Sequence, residues 1–234
     1  FDEMIEDCDV VILLENYDTG WVPNISKFKG LKIFWSIDSH CVLNQHIKTC
    51  NENNIDLVLN AIESDGRHFA NQKTVYFPNA YPADLIYPLD INKTIDVGFC
   101  GNINNRGQWI YSIPNVQVDV MKIGKDMVNV INSYKIHFNR NISNDINYRT
   151  FETLGCKTFL ITNYTENLER LYDIGKHLVV YENSIDLSEK INYYLNNDEE
   201  RNKIVNAGYK HTIKHHTFDK RACDLLSIIE TYGV

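Results

Sequence analysis

Arg149 and Glu152 stand three residues apart in the stretch NYRTFETLG, which predicts a helix with both side chains near its N-terminus. An arginine guanidinium is a planar fork of donors that suits a phosphate. A carboxylate only accepts hydrogen bonds and can take two from the neighbouring hydroxyls of a ribose. The same spacing suits an ordinary ion pair worth about 0.2–0.5 kcal/mol. Spacing alone therefore leaves a nucleotide contact and an ion pair open, and it favours the ion pair.

A second candidate anion contact follows the strand predicted at residues 95–101. Gly101 and Asn102 end this strand, and Arg106 begins the next helix, so backbone N–H groups and a guanidinium could meet an anion there. Gly101 permits close approach of the backbone to a ligand. A Gly-Asn pair is also an ordinary turn, which is the simpler interpretation.

Three further residues lie on the strand and connection that lead to the Arg149 helix. His137 is on the strand predicted at 134–139, where a histidine is more often a structural hydrogen-bonding group than a catalyst. Its position next to the predicted nucleotide contacts nevertheless makes it a candidate. Asn139 and Tyr148, which flank the connection, complete the predicted substrate-binding set.

The composition excludes several functions. Net charge is −8, with 23 basic and 31 acidic side chains and no basic stripe, which argues against nucleic-acid binding. No apolar run reaches the roughly 18–20 residues of a membrane span. The six cysteines form no CxxC pair, so we expect reduced thiols and a cytoplasmic location. The chain opens on Phe1 in mid-pattern, so we also expect residues upstream of it to be missing.

Short apolar runs alternate with helical patterns, which predicts an α/β fold with parallel sheets. The predicted strands are 9–14, 31–37, 55–60, 73–78, 95–101, 116–122, 134–139, 157–162 and 177–182. A proline-marked break at residues 77–96 divides them. We therefore predict two Rossmann-like domains, residues 1–92 and 93–234, with ligands at the carboxyl ends of the strands.

The stretch from Asn147 to Phe218 resembles the C-terminal domain of glycosyltransferases of the spore-maturation (CgeB-type) group. The shared pattern begins N-x-R-x-F-E, passes through a strand of V-V-Y type and an acidic D-E-E-R turn, and closes with A-G and H-T-F. The segment FPNAYPADLIYP is similar, more loosely, to the interdomain segment of the wider GT-B superfamily, with Ala80 and Tyr81 in place of its usual glycine and apolar residue.

This resemblance implies a GT-B fold, with two Rossmann-like domains facing a cleft and a first domain that is short or truncated. The second domain would bind a nucleoside-diphosphate sugar, with Glu152 on the ribose and Arg149 and Arg106 on the diphosphate. The first would bind an acceptor, which the sequence does not identify. No metal or other cofactor is expected. The second glutamate of many retaining enzymes falls on Asn144, which puts a retaining mechanism by that route in doubt.

Asp38 and His40 follow the strand predicted at 31–37 and are the candidate catalytic residues of the first domain. An inverting transfer needs a general base to take the proton of the acceptor hydroxyl, and either residue is suited, with the other as its orienting partner. Asp38 is equally well explained as a helix N-cap. His211 and His215 have the i,i+4 spacing of a metal pair, but without a neighbouring carboxylate a solvated helix face is expected.

Two other functions fit the same features. A GT-B-fold epimerase would act on the sugar nucleotide itself and would release a free sugar nucleotide. A degenerate domain would bind a nucleotide or a partner protein without catalysis.

Overall fold

Two parallel β-sheets form the framework of the computed structural model, which describes residues 5–15 and 23–232. The described residues group into two compact units. The first takes the chain up to Asn79, residues 143–146 and the chain from Cys223 onward, and the second takes residues 80–142 and 147–222. The boundary between residues 92 and 93 stays a prediction, since these groups are not simple halves of the chain.

The first unit is built on a four-stranded parallel sheet in the order β1-β2-β3-β4. Its strands are β1 (Val10–Leu14), β2 (Leu31–Ser36), β3 (Leu57–Asn60) and β4 (Lys73–Tyr76). Helix α1 (Ser39–Glu52) follows β2, and a 3₁₀ helix (Glu63–His68) follows β3. β3 is buried along its whole length, as expected for a central strand covered on both faces.

The second unit holds a five-stranded parallel sheet in the order β6-β5-β7-β8-β9. Its strands are β5 (Ile95–Cys100), β6 (Gln117–Asp119), β7 (Tyr134–Phe138), β8 (Phe159–Asn163) and β9 (Val179–Tyr181). A 3₁₀ turn (Asn104–Arg106) and helix α2 (Gly107–Ile110) follow β5. The other helices are α3 (Gly124–Ser133), α4 (Tyr148–Gly155), α5 (Leu168–Leu171), α6 (Ser184–Asn196), α7 (Asp198–His215) and α8 (Phe218–Tyr232), whose last part belongs to the first unit.

The strand order of the second sheet fixes where a ligand can bind. β6 lies on one side of β5, and the next strands, from β7 onward, are added on the other side. The order of the strands across the sheet therefore reverses at β5. In open parallel sheets the crevice outside the carboxyl ends of the strands at this switch point is the usual ligand site. The residues that follow β5 and β7 are therefore brought together by the topology.

The predicted α/β class with parallel sheets is confirmed. Within the described part of the chain, no helix is both long and apolar enough to cross a bilayer. All six cysteines are free thiols, and Cys50, Cys100 and Cys156 are buried.

Candidate functional site

A polar pocket of about 340 Å³ lies where β5, β7 and the N-terminus of α4 meet. It is lined by Phe99, Cys100, Gly101, Asn102, Arg106, Asn139, Asn147, Tyr148, Arg149 and Glu152. The structure thus brings together every residue of the predicted substrate-binding set except His137. The positive end of the α4 helix dipole and its first N–H groups favour an anion at this place. The roles of the individual residues stay predictions.

Arg149 and Glu152 form the ion pair that their spacing allows. Arg149 Nη1 donates to Glu152 Oε2, and the two side chains are 22% and 13% exposed. Arg149 Nε also donates to the carbonyl oxygen of Cys100 at 2.9 Å, which holds the guanidinium against the end of β5. The pair is therefore a fixed, partly buried element of the pocket wall, and this geometry is compatible with both interpretations of the sequence.

Arg106 links the two strand ends that frame the polar pocket. Its Nε donates to the carbonyl oxygen of Arg140, just beyond β7, at 2.7 Å. Its Nη1 donates to the carbonyl oxygen of Asn102 at 3.2 Å. These bonds hold one edge of the guanidinium on the protein while the residue lines the pocket.

His137 lies beneath the polar pocket and is fully buried. Its Nε2 accepts the backbone N–H of Cys100 at 3.1 Å, so Nδ1 carries the proton and donates to Thr153 Oγ1 at 2.6 Å. The Thr153 hydroxyl in turn donates to the carbonyl oxygen of Arg149 at 2.6 Å. Burial lowers the pKa of His137 to about 3, which keeps the ring neutral. His137 therefore links β5 to α4 through hydrogen bonds. Its predicted contact with substrate stays a prediction.

A buried amide network supports the floor of the polar pocket. Asn139 Nδ2 donates to Asn147 Oδ1 at 3.2 Å, and Asn141 Oδ1 accepts the backbone N–H of Asn147 at 3.1 Å. Asn141 Nδ2 reaches Thr162 Oγ1 at 3.3 Å, which ties the network to β8. Asn147 precedes α4, so these bonds fix the start of the helix that carries Arg149 and Glu152. Sequence reasoning missed Asn141, although the run HFNRN of polar residues after a strand was the available signal.

A second, more apolar pocket of about 430 Å³ adjoins the polar one and shares Arg149 and Glu152 with it. Its other lining residues are Pro82, Asp84, Leu85, Ile86, Tyr87, Ile123, Gly124, Lys125 and Met127. Leu85 and Ile123 are 65% and 79% exposed, so apolar surface faces this space. The sequence did not predict this pocket, because its residues come from the proline-marked break and from an irregular loop.

In the first unit, Asp38 and His40 lie together with a third residue, Asp145. One ring nitrogen of His40 and one carboxylate oxygen of each aspartate all lie within 4.8 Å of one another. Asp38 takes the N-cap position of α1, but its side chain makes no capping hydrogen bond. Asp145 is 6% exposed. Such a group could hold a proton or a cation, and the sequence prediction that no metal binds stays a prediction.

Glu15, at the end of β1, positions the backbone that carries Asp38. Its carboxylate accepts the N–H of Ile37 at 2.5 Å and the N–H of Asp38 at 2.7 Å. Its Oε2 lies 3.4 Å from Nε2 of the buried His46. Burial raises the pKa of Glu15 and lowers the pKa of His46 to about 4. Sequence reasoning missed Glu15, since a single glutamate after a strand carries no spacing signal.

His211 departs from the solvated helix face expected for α7. Its Nε2 lies 2.7 Å from the carbonyl oxygen of Leu171, and its ring stacks on His177 with centroids 4.3 Å apart. The ring therefore packs against neighbouring elements of the second unit. His215 lies beside it, with ring centroids 4.8 Å apart.

Solved structures with the same fold place the chain in the GT-B class. A glycosyltransferase from Rickettsia africae ESF-5 superposes with a TM-score of 0.72 at 12% identity, over 98% of this chain and 79% of that one. HepE from Anabaena, solved in complex with UDP-glucose, superposes with a TM-score of 0.70 at 9% identity, over 86% of this chain and 72% of that one. At these identities the likeness shows the fold, and the GT-B prediction is confirmed.

The chain belongs to the glycosyl transferase-like family, whose model matches residues 83–227, more than half of the sequence. The spore protein CgeB of Bacillus subtilis (strain 168) is 34% identical over 110 residues, which are 45% of this chain. This chain covers 33% of CgeB, so it spans about a third of the length of this curated relative. The resemblance to the CgeB-type group predicted from the sequence is confirmed.

Proposed function

We propose that this protein transfers a sugar, a hexose in the simplest case, from a nucleoside diphosphate to an acceptor hydroxyl without a bound metal ion. The donor nucleoside occupies the apolar pocket, and its diphosphate occupies the polar pocket. The family of the chain supports a glycosyltransferase, and a bound UDP-glucose in the structurally similar HepE supports a sugar nucleotide as donor.

One observation carries this proposal: Arg149 and Glu152 line both pockets. A nucleoside diphosphate has a flat aromatic base at one end, whose faces pack on apolar side chains, an anionic diphosphate at the other and a diol between them. The lining of the two pockets follows the same order as these parts of the nucleotide. Apolar side chains line one pocket, the Glu152 carboxylate lies at the junction, and Arg106 lines the other pocket. Glu152 thus meets the ribose hydroxyls, because a carboxylate accepts hydrogen bonds from both.

The chemistry follows from the same groups. The leaving diphosphate gains negative charge as its bond to the sugar breaks. Arg106, Arg149 and the N-terminal end of α4 stabilise this charge, and these groups act in the place of a metal ion. In the first unit, Asp38 or His40 removes the proton of the acceptor hydroxyl and the other residue orients it, which is the general-base step of an inverting transfer.

We expect Glu152→Gln to weaken the binding of UDP by about ten- to a hundredfold, the worth of a hydrogen bond to a charged group. The substitution keeps the shape of the side chain and turns one acceptor oxygen into a donor. If Glu152 binds the ribose diol, the native protein also prefers UDP to 2′-deoxy-UDP, and the variant loses this preference. Isothermal titration calorimetry with both nucleotides measures both effects.

Glu189→Gln is a matched control, because Glu189 is an exposed glutamate on α6 of the same unit. It should leave both affinities unchanged. If Glu152 is only the ion-pair partner of Arg149, the two nucleotides bind Glu152→Gln with equal losses or none. That result would refute the ribose contact.

A further inference from the structure

The cluster of Asp38, His40 and Asp145 contains one carboxylate that no sequence pattern singled out. Residues 143–146 belong to the first unit, although the chain on either side of them belongs to the second. This short loop therefore delivers Asp145 to the two residues that follow β2. The three side chains place an imidazole nitrogen and two carboxylate oxygens within 4.8 Å of one another.

The two nitrogens of His40 differ in their surroundings. Nδ1 is shielded from solvent and has no hydrogen-bond partner among the described residues. Nε2 is not in this position of being both shielded and without a partner. A shielded Nδ1–H needs an acceptor once the ring becomes charged, because burial of an unpaired charge is costly. Asp145, at 6% exposure, is the more deeply buried of the two carboxylates in the cluster.

We propose that Asp145 is a positioning residue that accepts the Nδ1–H of His40 and leaves Nε2 as the base for the acceptor hydroxyl. This inference rests on the proposed function. Hydrogen bonds between catalytic groups are often loose before substrate binds and then shorten. The carboxylate fixes the tautomer of the ring and stabilises the imidazolium that forms during transfer, as in other base–carboxylate pairs.

The proposed transfer step moves one proton and exchanges one bond at the anomeric carbon of the donor sugar. The acceptor O–H gives its proton to His40 Nε2, and the acceptor oxygen forms a bond to the anomeric carbon of the donor sugar. The bond from this carbon to the diphosphate oxygen breaks, and the nucleoside diphosphate leaves with the electron pair. The proton passes from His40 to solvent when product leaves.

The first test is ¹⁵N NMR of the histidine rings at pH 8, with His40 assigned by comparison with His40→Ala. This measurement needs no substrate. We expect the Nδ1–H tautomer in the native protein and a mixture of tautomers in Asp145→Asn, while Asp7→Asn, at an exposed position of the same unit, leaves the signal unchanged. An Nε2–H tautomer in the native protein, or the same spectrum in Asp145→Asn, would overturn the pairing.

The second test is a double-mutant cycle on turnover of the sugar nucleotide. We expect Asp145→Asn to lower kcat by about ten- to a hundredfold with donor affinity unchanged, Asp145→Glu to recover part of this loss, and Asp145→Asn to have no further effect in His40→Ala. The inference would be overturned if the losses from Asp145→Asn and His40→Ala multiplied in the double variant. It would also be overturned if turnover required Mn²⁺ and Asp145→Asn raised the Mn²⁺ concentration that is needed. Tautomer coupling without turnover of any sugar nucleotide would support the pairing and count against the proposed function instead.

Discussion

We expect replacement of His40 by alanine to lower sugar transfer by roughly 10²–10⁴-fold, the usual contribution of a general base, and to leave donor affinity unchanged. Asp38→Asn should lower transfer in the same range if the Asp38 charge takes part in the proton transfer. The donor contacts proposed above all come from residues 82–152, in the second unit, whereas both substituted residues belong to the first. Nucleotide affinity from calorimetry and transfer rate from the release of nucleoside diphosphate therefore separate the two roles.

The capping alternative predicts a different outcome for Asp38. Asparagine caps a helix about as well as aspartate, so Asp38→Asn would be nearly silent if capping were its only task. The missing capping hydrogen bond at Asp38 argues against that alternative. His68→Ala, at an exposed histidine of the same unit, is the control and should transfer at the native rate. Full activity in both Asp38→Asn and His40→Ala would remove this loop from the mechanism.

Mild acid should unfold this protein because three histidines are buried in the neutral form. Burial lowers the pKa of His46 to about 4 and the pKa values of His137 and His216 to about 3. His216 shows the cause, since its Nε2 lies 3.1 Å from the carbonyl oxygen of Leu171 while its buried Nδ1 has no partner among the described residues. A second proton on this ring would be buried without an acceptor.

The sign of the effect follows from these depressed values. The unfolded chain takes up these protons near pH 6.5 and the folded protein only near pH 3–4, so stability is full above pH 6.5 and falls as the pH is lowered. Below pH 6.5, each histidine lowers the free energy of unfolding by about 1.4 kcal/mol per pH unit, and the three together lower it by about 4 kcal/mol per pH unit. Glu15, whose pKa is raised by burial, offsets part of this loss. A typical domain has only about 5–15 kcal/mol of stability.

Urea unfolding at pH 7, 6 and 5, followed by circular dichroism, measures this dependence. We expect the urea midpoint of unfolding to fall at each step to lower pH. In His46→Gln, the dependence of the unfolding free energy on pH should be weaker by the contribution of one histidine, and stability at pH 7 should be lower. His68→Gln, at an exposed position, should keep the native slope. Equal midpoints at pH 7 and pH 5 would contradict the account of the buried rings.

The framework of the fold follows from local patterns in the sequence. The strand at residues 95–101 and the one at 134–139 were predicted from apolar runs, and the structure has them at Ile95–Cys100 and Tyr134–Phe138. Parallel pairing then places the residues after both strands at one sheet edge, which is why the polar pocket could be predicted. His137 was harder to place, because one strand alternates between faces and the sequence does not show which face meets Thr153.

The remaining features depend on contacts between distant parts of the chain. Asp145 meets Asp38 and His40 across more than a hundred residues, and no local pattern links them. The apolar pocket draws on residues near Leu85 and near Ile123, both in irregular segments without a period. These features arise from tertiary packing, which spacing rules do not describe.

The central claim is that the two pockets bind a nucleoside diphosphate without metal. The most direct measurement is calorimetry of UDP, GDP, dTDP and CDP in the presence of EDTA, with thermal unfolding of the same samples. The account predicts that at least one nucleotide binds and that at a hundred times its Kd it adds about 2.7 kcal/mol of stability. Added Mg²⁺ or Mn²⁺ should leave the affinity unchanged. Absence of binding by all four nucleotides, or binding only with a divalent cation, would contradict it.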